Sequence, residues 1–94
     1  MIEWTEQASR QLEQVYDHIA LSKSEEVAAR VTTRIVSRVE QLNPFPLSGR
    51  KGRVLNTREL VISNTPFIAV YTIEATRVVI LAIYHGAQRW PESF

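Results

Sequence analysis

The chain contains no cysteine, only two histidines and three glycines, and a net charge of just +1 over 94 residues. Without cysteine there is no disulfide framework, no thiolate zinc site and no cysteine nucleophile. The histidines, His18 and His85, are far apart in sequence, and no carboxylates gather near His85. No metal-ligand spacing is readable, and neither metal nor cofactor is expected. Gly49 and Gly52 lie in a turn followed by strand-forming residues, not in the strand–loop–helix order that a phosphate-binding loop requires. No serine sits at a nucleophile elbow. No apolar run approaches the ~20 residues that span a bilayer. The opening Met1-Ile2-Glu3-Trp4 has neither the basic segment nor the apolar core of a secretion signal. The expectation is a cytoplasmic protein without membrane contact. Repeats, linkers and low-complexity stretches are also absent, so residues 1–94 are expected to form a single domain.

What is present is an ordinary apolar content of 45% and an uneven distribution of charge. Residues 1–49 carry 5 basic and 7 acidic groups, whereas residues 50–94 carry 6 and 3, so the halves are −2 and +3. Arg50, Lys51, Arg53 and Arg58 fall within nine residues. Such a run forms either a solvated loop or a patch that attracts anions.

Ile2-Glu3-Trp4 reads as a short edge strand. Thr5 then suits a helix N-cap, with Glu6 in the first turn. Ala8, Leu12, Val15, Tyr16 and Ile19 trace the apolar stripe of a first helix. Ser22 and Glu25 have the spacing of a capping box for a second helix, whose stripe is Val27/Ala28, Val31, Ile35, Val39 and Leu42. Glu26 precedes Arg30 by four residues, the favourable order for an ion pair. Pro44 predicts the helix end near Asn43. Residues 44–53 read as loop, and strands are expected over Thr57–Ile62, Phe67–Ile73 and Arg77–Tyr84, joined by short turns. The order is β-α-α-β-β-β. It implies an α+β fold with a helical hairpin packed on one face of a mainly antiparallel four-stranded sheet.

The last strand, Val78-Val79-Ile80-Leu81-Ala82-Ile83-Tyr84, is apolar throughout, so it is expected to be covered on both faces. It ends at His85-Gly86-Ala87-Gln88-Arg89-Trp90-Pro91. Arg58, Tyr71, Tyr84, His85, Arg89 and Trp90 thus form a basic and aromatic set. Arginines hold phosphate, a histidine or tyrosine moves a proton, and an aromatic ring stacks on an unstacked base, so the set suits RNA. The same residue types also suit a protein interface. Arg30, Arg34 and Arg38 form a same-sign row on the second helix, either a solvated face or a contact for an acidic partner. His18, off the apolar stripe, reads as a surface residue.

Taken in order, these segments resemble the RelE/ParE superfamily of bacterial toxins. The pieces are Ile2-Glu3-Trp4-Thr5 before a helical hairpin, Pro46-Leu47-Ser48-Gly49-Arg50 after it, Thr57-Arg58-Glu59-Leu60, Pro66-Phe67-Ile68-Ala69-Val70-Tyr71, and Val79–Gly86 leading to Gln88-Arg89-Trp90-Pro91. The resemblance implies a growth-inhibiting toxin of a type II toxin–antitoxin (plasmid stabilisation) module, neutralised by a small antitoxin that wraps its surface. Contact with operator DNA is implied only through the antitoxin complex. Two mechanisms share this fold. ParE-like members poison DNA gyrase. RelE-like members cut mRNA on the ribosome without a metal, acting as endoribonucleases (mRNA interferases). In the RelE-like pattern an arginine stands on the middle strand near the position of Ile68, and the chains are strongly basic. This sequence departs on both counts, which favours gyrase as the target. For the nuclease alternative, His85 would transfer the proton beside Tyr84, with Arg58 and Arg89 as phosphate clamps. The residues expected to meet the target are Arg58, Tyr71, His85, Arg89 and Trp90. Those expected to meet an acidic antitoxin segment are Arg30, Arg34, Arg38, Arg50, Lys51 and Arg53.

Overall fold

The computed structural model describes residues 1–94 as a helical hairpin packed on one face of a twisted sheet. Strand β1 (Ile2–Trp4) leads into helix α1 (Glu6–Ser22), followed by α2 (Glu25–Glu40). Strands β2 (Arg50–Lys51), β3 (Arg58–Val61), β4 (Phe67–Glu74) and β5 (Arg77–His85) complete the chain. The α+β layout is as expected, but the sheet has five strands rather than four, in the order β1-β5-β4-β3-β2. The addition is β2, which lies within the segment read as loop. Proline and glycine signals hide so short a strand, and it exists because Arg50 and Lys51 pair with Glu59 and Arg58. Only β1 is parallel to its neighbour β5; the other pairs are antiparallel.

Thr5 caps α1 as expected, its Oγ1 accepting from the Ala8 N–H at 3.1 Å. The same hydroxyl donates to the Leu81 carbonyl at 3.3 Å, tying the helix start to the central strand. The expected capping box does not form. Helix α1 runs through Ser22, whose hydroxyl donates back to the His18 carbonyl, so the extended Ser24 caps α2 by accepting from the Val27 N–H at 3.1 Å. Helix α2 ends at Glu40, short of Asn43, as its last turn tightens: Gln41 and Leu42 donate to carbonyls three residues back. Glu26 and Arg30 form no ion pair, whereas Glu6 and Arg10 do.

The stripes bury Ala8 and Ile19 from α1 and Ala28, Ile35, Val39 and Leu42 from the α2 region. They meet Leu60, Ala69, Tyr71, Val78, Ile80 and Ile83 on the inner face of the sheet. At about 25 cal/mol per Å² of apolar surface removed from water, this layer dominates the stability of the fold.

An irregularity in β5 decides what reaches the other face. Val70 pairs with Ala82 but Tyr71 pairs with Ile80, leaving Leu81 without a partner on β4. A bulge of this kind reverses the alternation of side chains beyond it. Val78 and Ile80 face the helices before it, and Ile83 does so after it, while Ala82 and Tyr84 face away. Strand β5 is therefore covered on both faces, by the helices on one side and by the C-terminal tail on the other.

Candidate functional site

The outer face of the sheet carries a charged centre beside an apolar row. Cross-strand register places Arg50, Glu59, Val70 and Ala82 in one row, and Val61, Ile68 and Tyr84 in the next. Glu59 is only 3% exposed. Its Oε1 accepts from Arg50 Nε at 3.2 Å, Arg50 Nη2 at 2.9 Å and Arg53 Nη2 at 3.3 Å. Its Oε2 accepts from the Arg53 backbone N–H at 2.8 Å and from Arg53 Nε at 3.1 Å. Burial by itself pushes the Glu59 carboxyl upward, but the hydrogen bonds from Arg53 and Arg50 outweigh it and hold the group below the usual glutamate range.

The tail is seated on this centre. The guanidinium carbon of Arg53 lies 3.7 Å from the centroid of the Trp90 ring. Trp90 packs against Tyr84 with centroids 5.1 Å apart, and Phe94 approaches the same ring at 5.7 Å. The indole N–H of Trp90 is buried without a hydrogen-bond partner. A planar cation above an indole face is a favourable pairing.

The remaining site residues are divided among other places. Tyr71 is fully buried on the helix side, where its hydroxyl donates to the Pro46 carbonyl at 2.7 Å and accepts from the Gly49 N–H at 2.9 Å. Its expected role as a target contact is therefore corrected: it anchors the loop before β2, and burial raises its phenol above the ordinary value, which keeps it a donor. Gly49 is required there, since a Cβ would stand 2.6 Å from the Tyr71 hydroxyl oxygen. Arg58 shares the face of Tyr71, and its Nη1 donates to the Gly49 carbonyl at 2.8 Å. Tyr84 lies on the opposite face, so the residues named for RNA cleavage are not gathered at one point.

His85 is exposed at the end of β5. Its Nδ1 accepts from the Ala87 N–H at 3.1 Å, which leaves the proton of the neutral ring on Nε2, and Phe67 meets the ring edge-on at 5.7 Å. His85 and the exposed His18 both line a shallow groove of about 300 Å³ beside α1, a neighbour that periodicity could not supply. Arg89 is exposed and forms no ion pair.

Among the expected antitoxin contacts, Arg50 and Arg53 are bonded to Glu59, while Lys51 remains unpaired opposite Arg58 and lines an open groove of about 830 Å³ with it. Arg30 and Arg34 are exposed and unpaired. Arg38 is half-buried and donates to Gln41. Sequence reasoning missed Glu59. The one available signal was a lone acid beside a run of four cations.

A family model described as "ParE toxin of type II toxin-antitoxin system, parDE" matches residues 2–90. The chain belongs to the ParE toxin family. The Sinorhizobium fredii protein named "Putative toxin Y4kP" is 41% identical over 91 residues, covering 97% of this chain and 93% of that protein. A solved structure described as "Chromosomal ParDE TA system from P. aeruginosa" superposes with a TM-score of 0.77 at 28% identity, covering 89% of this chain and 92% of the other. This ParE-family chain is thus a toxin of a type II toxin–antitoxin system. Its middle strand presents Ile68, 7% exposed, to the outer face beside Tyr84. No helix is long and apolar enough to cross a membrane.

Proposed function

We propose that this toxin arrests growth by binding DNA gyrase through the outer face of its sheet and the tail seated on it, and that a cognate antitoxin neutralises it. The observation that carries the reading is Glu59. A phosphate arriving at the outer face would find Arg50 and Arg53 already engaged, their guanidinium groups bonded to the buried Glu59 carboxylate and not free to clamp it. Such a surface is poorly suited to RNA cleavage and well suited to a protein partner. Trp90, Phe94 and the two arginines supply the aromatic and guanidinium character that dominates protein interfaces. The division of Arg58, His85 and Tyr84 between different faces supports the same reading.

Induction of the toxin alone in cells tests it. DNA cleavage complexes and a DNA-damage response are expected, while messages mapped by primer extension stay intact. Codon-dependent cleavage that disappears in His85→Ala, without DNA damage, would establish the nuclease alternative instead. For neutralisation, the antitoxin is proposed to lie across the helical hairpin, where Leu12 and Val36 line an apolar groove near Arg34. An acidic segment suits the free cations there. Arg34→Glu is expected to weaken the toxin–antitoxin complex by about tenfold, as befits loss and reversal of one exposed charge pair. Unchanged affinity by calorimetry would remove the hairpin row from the interface.

A further inference from the structure

We infer that Glu59 is the positioning residue of the target-binding face: through Arg53 it sets the place and orientation of Trp90. The inference rests on the reading that this face meets the target.

The three residues come from separate segments, and each fixes the next. Glu59 is held rigidly by the β3 ladder, between Arg50 on β2 and Val70 on β4. As a carboxylate 3% exposed it requires partners, because burying an unpaired charge is strongly unfavourable. Arg53 meets that requirement from both its backbone N–H and its side chain. A free arginine samples many rotamers; with Nε and Nη2 both bonded to Glu59, the guanidinium plane has little freedom left. That plane lies over the Trp90 ring at 3.7 Å, and Tyr84 supports the ring at 5.1 Å.

Trp90 has few other means of holding its place. Its indole N–H makes no hydrogen bond, and its neighbours Arg89 and Pro91 are exposed. The chain between His85 and Trp90 is turn, fixed at its start by the Gln88 N–H to the His85 carbonyl at 2.9 Å. Its apolar contact with the cluster of Val70, Ala82 and Tyr84 is non-directional and leaves the indole free to slide and tilt. The guanidinium above it selects one pose.

The test uses the full chain and separates position from stability. Trp4 is the only other tryptophan, so a Trp4→Phe background makes Trp90 the sole indole reporter. Glu59→Gln removes the charge that fixes Arg53. Arg53→Lys keeps a cation for Glu59 but loses the flat guanidinium, and it decides the matter alone if the glutamine variant does not fold. Both variants are expected to expose Trp90 to acrylamide, with a roughly twofold rise in quenching and a red-shifted emission, as a lost stacking contact requires. In the native Trp4 background, both are expected to lower growth inhibition by about tenfold, the scale of one interface contact. Arg53→Lys should retain near-native thermal stability, which a merely structural role for the pair would not separate from toxicity. Unchanged quenching in the folded variants would overturn the inference, as would altered quenching with full toxicity. Trp90→Ala distinguishes the two levels. If it retains full toxicity, the target-face reading fails, whereas the effect of Glu59 on the indole stands or falls on the quenching.

Discussion

Glu59 and Tyr71 do comparable work on opposite faces of the sheet, and both act on the segment around β2. Glu59 receives Arg50 and Arg53 from outside; Tyr71 receives Gly49 and holds Pro46 from within. Tyr71→Phe would leave a buried N–H and a carbonyl unpaired at once, a loss of about 2 kcal/mol. At that size the melting temperature is expected to drop by roughly 10 °C, measured by calorimetry. The sign for Glu59 follows from its lowered pKa in the folded state. Its contribution is present above the ordinary glutamate value of about 4.3 and is lost as pH falls through the lower folded value. Glu59→Gln should therefore destabilise the protein near neutrality and flatten its stability profile as pH falls through and below the ordinary glutamate range. A mutant whose acid profile ran parallel to wild type would show that another carboxylate governs that range. Neither role was legible in the sequence. Tyr71 was grouped with the basic and aromatic set by residue type, which says nothing of burial, and a buried acid is indistinguishable from a solvated one until its partners are known.

At the level of elements, the helices were the most legible part. Their apolar stripes fall at the spacing that a single buried face demands, so Ala8, Ala28, Ile35 and Val39 could be placed inside from order alone. The three long strands were equally plain. The parts that escaped depend on contacts distant in sequence. Strand β2 exists only because β3 offers an edge, and the Leu81 bulge is fixed by Thr5, whose N–H and hydroxyl donate to Ile80 and Leu81. The bulge matters for the site, since it turns Tyr84 outward to receive Trp90. The β4–β5 turn carries a separate strain: Ala75 has a φ of 54°, a conformation that costs a side chain with a Cβ. Ala75→Gly is expected to stabilise the hairpin by about 0.5 kcal/mol after the entropy of the added glycine is set against the relieved clash. Chemical denaturation would check this, and a loss of stability would mean that the turn is not strained as built.

For the molecule as a whole, the two faces of one sheet divide the labour. The helical face builds the core and presents the hairpin groove and its free arginines. The outer face presents a tail locked to a buried acid. The candidate site was half visible in the sequence. Trp90 and Tyr84 meet at the end of the last strand, whereas Arg58 and Tyr71 lie on the helix side. That separation emerges only once Tyr84 is known to pair with Ile68, which alternation along β4 places on the opposite face from Tyr71. The central claim is that this outer face binds gyrase. It is tested most directly by adding purified toxin to purified gyrase and supercoiled plasmid and measuring protein-linked double-strand breaks. The account predicts breaks that rise with toxin concentration and fall by about tenfold for Trp90→Ala, the loss expected of a central interface aromatic. Equal gyrase activity with and without toxin, at concentrations that arrest growth, would contradict it.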